Sequence, residues 1–270
     1  MNQKEILCLW GNRCSFMGYL PDLGLRRQGA AAIYLGLESG MEVSENGDTW
    51  QSCRSALIHP MTMHAVRFSG NFCVQLFVDL NSPNYESLRR SNAKQEQADI
   101  LITLREEEHL ISVARQVLEA ESDEKVFQLL NQFPQVPSPM EARQKDARII
   151  RVMEKIASEP QERHSIKSLA DSVGMSVSNL EHLFKKEAGV PLHAFRTWLR
   201  LKMTVSSLLE GANLTDAALR AGFFDSAHFS RTFRASFGLP PSSIFNRTRQ
   251  IRTYVEIPDA IESKKRVNIV

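Results

Sequence analysis

Apolar positions alternate with a period of two through the first third of the chain and change to a helical period beyond it. Ala31, Ile33, Leu35 and Leu37 occupy alternate positions, as do Val74, Leu76 and Val78, the spacing that lines one face of a strand. Between them lie Glu45, Asn46, Gly47 and Asp48, with the Asn-Gly pair that favours a tight hairpin. Strands this closely spaced, with no helical stretch among them, predict a small antiparallel barrel or sandwich over residues 29–79. After Pro83 the rhythm is helical. Leu110, Ile111, Ala114, Val117 and Leu118 fall on one face, with Glu106, Glu107, Glu108 and Arg115 off it. Ser122 is placed to cap a second helix running through Val126, Phe127 and Leu130. The first stripe exceeds what a lone helix on a small barrel needs, so the segment 95–133 is expected to pair two subunits.

Pro134, Pro137 and Pro139 then interrupt any helix and predict a semi-rigid extended linker. The expected fold class is α+β in two domains. A strand-rich domain with trailing helices covers 1–135, the linker 136–145, an all-helical domain 146–252 and a tail 253–270. Helix caps are visible in the helical part at Ser165, Ser176 and Asp225.

The helical domain contains an internal duplication. The eight residues 169–176 resemble 217–224 at an offset of 48; past the turn Leu180 pairs with Phe229, Phe184 with Phe233, Gly189 with Gly238 and Pro191 with Pro240, at an offset of 49. One extra residue in the second turn accounts for the shift. Each copy has helix-turn-helix grammar. A small alanine (Ala170, Ala218) allows close helix approach, a glycine (Gly174, Gly222) ends the first helix at positive φ, and an apolar residue (Met175, Phe223) plugs the turn.

Net charge sharpens the division. Residues 1–140 hold 12 Lys and Arg against 17 Asp and Glu, whereas 141–252 hold 18 against 11. A basic block behind an acidic one points to a polyanion partner for the former.

The segments Ile166, Lys167, Ser168, Leu169, Ala170, then Phe184, Lys185, Lys186, then Gly222 and Phe223 through His228, Phe229, Ser230, Arg231 to Phe233, Gly238 and Pro240 resemble the AraC/XylS family of transcription activators. The resemblance implies two helix-turn-helix units joined by a long helix from 191 to 209, set in successive major-groove turns of double-stranded DNA. It also implies a cupin-like first domain that senses a small-molecule effector, and contact with RNA polymerase; a homodimer through the helical stripe, a cytoplasmic location and no enzymatic activity are expected beside it. The chain departs from the family pattern at Thr204, Ala217 and the pair Ile244, Phe245, where the family has alanine, isoleucine and Tyr-Arg. The last change removes a phosphate ligand that Arg247 or Arg249 could replace.

Helical spacing selects the candidate DNA contacts. In the first recognition helix Leu180, Leu183 and Phe184 face inward, leaving Val177, Ser178, Glu181 and His182 outward, with Lys185 and Lys186 near its end. Glu181 is either an acceptor for a cytosine amino group or a solvated side chain; the two lysines fit phosphates. In the second, buried Phe229 and Phe233 leave Ser226, Ala227, Ser230 and Arg231 outward. Arg231 suits a bidentate guanine contact, with a phosphate contact as its alternative; His228 either binds a phosphate or fills the interface between helices.

A cupin-type metalloenzyme fused to a DNA-binding module is the alternative. It would need closely spaced histidines with a downstream glutamate, whereas His59 and His64 are five residues apart, so neither metal nor cofactor is expected. Cys8, Cys14, Cys53 and Cys73 contain no CxxC pair and read as reduced thiols. No window has the roughly 20 apolar residues of a membrane span.

Overall fold

The structure, a computed structural model, describes residues 5–11, 13–79, 85, 92, 99–133, 145–162, 164–245, 251–256 and 264–268, the last group as backbone only. The proline-rich segment, Arg247 and Arg249 lie outside the described residues.

Strand-forming residues build two sheets in the first domain. The larger has eight strands, in the order β10 (Ile100–Ile102), β7 (Ser55–Ile58), β4 (Ala31–Gly36), β9 (Phe72–Val78), β2 (Arg13–Tyr19), β1 (Glu5–Trp10), β11 (Ile251–Glu256) and β12 (Lys264–Asn268). The smaller has β3 (Leu23–Arg26), β8 (His64–Arg67), β5 (Met41–Ser44) and β6 (Gln51–Cys53). Side chains of both sheets share one apolar cluster, Leu7, Phe16 and Tyr34 with Leu23, Val43 and Val66, and the strands form two open sheets rather than a closed barrel. The expected hairpin joins β5 to β6: Asn46 Oδ1 accepts from the backbone N–H of Asp48 and of Thr49, and Gly47 sits at φ +84°.

The large sheet is buried on both faces, which explains why alternation revealed only part of it. In β4, Ala31, Ile33 and Leu35 join one apolar cluster, and Ala32 and Tyr34 the other. Strands covered on both sides lack a polar face, and β1 and β2 leave no alternating signature. One face carries α1 (Glu107–Glu119) and α2 (Asp123–Asn131), with Ser122 Oγ accepting from Lys125 N at the second helix's start. Trp10 Nε1 donates to Leu130 O at 3.0 Å, and Arg13 Nη1 to Phe133 O at 2.8 Å, pinning the end of α2 to β1 and β2.

The apolar stripe of α1 belongs to this interior. Leu110, Ile111, Val113, Ala114 and Val117 are at most 3% exposed and pack in the same cluster as Ile33, Leu35 and Leu57. The stripe is therefore covered by the chain's own sheet and is not a free face for a second subunit. Glutamate at Leu110 or Val117 would place a carboxylate in the core and disrupt folding rather than release a folded monomer.

The helical domain comprises α3 (Ala147–Ser158), α4 (Ile166–Ser172), α5 (Val177–Ala188), α6 (Leu192–Leu209), α7 (Leu214–Arg220) and α8 (Ser226–Phe237). It docks on the first domain through α6 and α8. Trp198 and Lys202, one turn apart on α6, both reach Asp79 at the end of β9: Trp198 Nε1 donates to Oδ1 at 2.5 Å and Lys202 Nζ to Oδ2 at 2.7 Å. Around this pair the Phe77, Trp198 and Phe237 rings lie 5.0–6.0 Å apart.

After the helices the chain returns to the first domain, where the sequence suggested the end of the helical domain and a tail. Strand β11 pairs parallel with β1, Glu5 opposite Ile251 through Leu9 opposite Val255. Arg252 Nη2 donates to Leu118 O at 2.9 Å, at the end of α1. All four cysteines are free thiols; burial pushes the pKa of Cys14 and Cys53 up to about 12, so these two stay protonated and unreactive at neutral pH.

Candidate nucleic-acid interface

Local capping chemistry sets the helix boundaries of the two repeated units. Ser165, Ser176, Asn213 and Asp225 each accept a backbone N–H from the first turn of α4, α5, α7 and α8. Gly189 and Gly238 close α5 and α8 in the left-handed conformation, at φ +77° and +81°. Four residues separate α4 from α5 and five separate α7 from α8, the extra residue that the repeat alignment requires.

The two turn glycines differ in their surroundings. Gly174, at φ +65°, has open space where a Cβ would stand. At Gly222, φ +81°, a Cβ would lie 2.6 Å from Gln161 O, in the loop before α4. Gly174→Ala should therefore carry only the left-handed backbone cost, about 1 kcal/mol, while Gly222→Ala should cost about 1–3 kcal/mol by adding a backbone collision. Thermal melting of the two variants side by side checks the order.

Within each unit the buried and outward residues separate as helical spacing predicts. Leu180 and Phe184 in α5, and Phe229 and Phe233 in α8, are 0–4% exposed. In α5, Ser178, Glu181, His182, Lys185 and Lys186 are exposed and Val177 is half-buried. In α8, Ala227 and Arg231 are exposed, Ser226 and Ser230 half-buried. Ser230 Oγ donates to Ser226 O at 2.8 Å, which leaves its hydroxyl oxygen as an acceptor. His228 is exposed, yet its ring lies edge-on to Phe223 at 5.4 Å and its Nδ1 accepts from Phe224 N at 3.4 Å, so it also braces the turn. The departures at Thr204 and Ala217 are accommodated in the core: both are fully buried, and Thr204 Oγ1 donates to Arg200 O at 2.9 Å.

Between the units lies a concave surface that the helical-face argument missed. His164, His193, Arg196, Thr197, Arg200, Gly222, Phe224 and His228 line a cavity of about 450 Å³. Arg196 and Arg200 donate from α6 to His164 O and Pro160 O, tying the central helix to the loop before α4. Phe224, 75% exposed in the second turn, stands at its rim. The signal available in the sequence was the second consecutive phenylalanine at 223 and 224, one more than a turn plug needs.

Comparison with known proteins follows this division. Residues 169–247 match the model of a helix-turn-helix domain. The chain is 37% identical over 79 residues to the transcriptional activator RhaS of Escherichia coli, 28% of either length. It is 28% identical over 103 residues to the transcriptional regulator MtrA of Neisseria gonorrhoeae, 36% of this chain and 32% of that one. The chain thus spans about a third or less of the curated relatives it matches. Over most of its length the fold is similar to that of ToxT from Vibrio cholerae. A crystal structure of that protein has a TM-score of 0.56 at 12% identity, covering 86% of this chain and 96% of that one.

Proposed function

We infer that the chain is a sequence-specific DNA-binding transcription regulator of the AraC type, an activator, with a small-molecule-responsive first domain. The observation that carries this reading is the pair of helix-turn-helix units whose recognition helices turn polar, partly basic faces outward. In this reading Val177, Ser178, Glu181 and His182 meet base edges in one major groove, and Ser226, Ala227, Ser230 and Arg231 in the next. Lys185 and Lys186 neutralise phosphates. The domain division at 135–146, a cytoplasmic location, a homodimer and contact with RNA polymerase belong to the same proposal. Among the described residues no helix is long and apolar enough to cross a membrane.

The metalloenzyme alternative gains no support from the histidines. His59 Nδ1 meets the Tyr85 hydroxyl at 2.8 Å, and His64 meets the Tyr34 hydroxyl through Nε2 and Thr62 O through Nδ1. Among the described residues no three His, Cys, Asp or Glu side chains converge as a metal ion requires. Stoichiometric iron or zinc in the purified chain would revive it.

Selection of bound sites from random duplexes tests the proposal. The expected result is a two-block motif whose blocks lie about 10 bp apart on one face; recovery of unenriched sequence would sink it. On the selected site, Arg231→Ala should cost about 1–3 kcal/mol and relax one base position. Lys185→Ala should weaken all duplexes alike and flatten the salt dependence, because a phosphate contact carries no base information. If Arg231→Ala weakens selected and scrambled duplexes equally, Arg231 holds a phosphate instead.

A further inference from the structure

The cavity between the two helix-turn-helix units is lined by cationic and imidazole side chains, and it has the size of a small-molecule site. One face of α6 supplies His193, Arg196 and Arg200, three and four residues apart as one side of a helix requires. The loop before α4 adds His164, and the second unit adds Phe224 and His228. None of the lining residues is acidic; the Glu159 carboxylate, outside the lining, lies 3.3 Å from His164 Nε2. The volume of about 450 Å³ falls within the roughly 300–1,000 Å³ of small-molecule sites.

Arg196 has donors to spare. Its Nη1 donates to His164 O at 2.8 Å and its Nη2 to Glu162 O at 3.1 Å, two of the five N–H groups of a guanidinium. Those bonds hold the group in place and leave the rest of the fork for an anion. His228 Nδ1 accepts from Phe224 N at 3.4 Å, which puts the hydrogen of the neutral ring on Nε2 as a further donor. Phe224 itself is 75% exposed, while Phe223, 5% exposed, already plugs the turn. The cavity therefore offers donors for a phosphate and an aromatic ring that packing does not require. A duplex brings phosphates but keeps its base faces stacked on one another, and would leave Phe224 bare. A free nucleotide brings a phosphate and an open base face in one molecule, and bases stack well on aromatic side chains.

We propose that this cavity binds a nucleoside monophosphate, its phosphate held by Arg196 and His193 and its base laid against Phe224. The site is separate from the sensing read for the first domain, and its occupant meets the central helix and both units. His228 shares the first turn of α8 with Ser226 and Ala227, the residues read as base contacts, so a bound nucleotide and a duplex exclude one another.

Calorimetric titration of the full chain with adenosine monophosphate, beside adenosine, ribose phosphate and inorganic phosphate, tests it. The nucleotide should bind at millimolar concentration or below, and each fragment of it about tenfold more weakly or worse. His193 and Phe224 are exposed, so alanine at either position should leave the melting temperature unchanged. Phe224→Ala should weaken the nucleotide about tenfold through lost stacking and leave ribose phosphate as it was. His193→Ala should weaken both about two- to tenfold through a lost hydrogen bond. Saturation with the selected duplex should abolish the heat of nucleotide binding. Adenosine binding as tightly as the nucleotide, a Phe224→Ala chain that binds like its parent, or heat undiminished by duplex would overturn the proposal. So would a chain that binds duplex and no nucleotide, which would mean that the cavity receives a DNA strand alone.

Discussion

A chain ending before Ile251 should lose about 5–8 kcal/mol of stability, an amount comparable with the whole of a typical domain's. Tyr254 and Val255 are 1% exposed and Ile251 is 6% exposed, and burying a large apolar side chain contributes about 1.5–3 kcal/mol. The Tyr254 ring packs edge-on to Phe127 of α2 at 5.7 Å, so the strand also holds the helical layer. Its removal leaves the edge of β1 unpaired, a template for aggregation. The expected result is a fall in melting temperature of more than 10 °C, at about 2–4 °C per kcal/mol, or an insoluble product. A truncated chain that melts with the parent would show that β11 adds nothing to the sheet.

Asp79→Ala should loosen the two domains from one another at a cost of about 3–5 kcal/mol, the penalty for leaving one half of a buried ion pair without its partner. The side chains of Lys202 and Asp79 are only 18% and 10% exposed, and the same carboxylate also accepts from the Trp198 indole. Alanine therefore strands a cation and an N–H together. Calorimetry should resolve two transitions where the parent shows one, and hydrogen exchange should quicken along α6. Asp79→Asn, which keeps an acceptor for Trp198 and loses the ion pair, should fall between. A single unshifted transition in Asp79→Ala would contradict the docking described above.

The helical domain was legible because its signals are local. Caps, turn glycines and apolar spacing act within a few residues, and the duplication allowed each copy to check the other. The first domain was legible only where one sheet face alternates against the other, as in Ala31, Ile33 and Leu35. Strands β1 and β2 are apolar on both faces, and β11 reaches its partner across more than 240 residues of chain, a pairing that no local pattern encodes. The α1 stripe was visible, but its partner was not: periodicity shows that a face is apolar without saying whether the chain itself or a second subunit covers it. The contacts of the buried Arg26 were silent for a similar reason: Arg26, Tyr34, His64 and Gln75 come from four strands, β3, β4, β8 and β9, and meet only through the folding of the sheets.

The most direct test of the DNA-binding account is the affinity of the full chain for its selected site and for a scrambled duplex, from 50 to 200 mM salt. The account predicts a preference of roughly 10³-fold or more for the selected site at the higher salt. It also predicts that binding to both duplexes falls linearly on a log–log plot as counterions compete for the phosphates. Equal affinity for the two duplexes, or binding insensitive to salt, would contradict it.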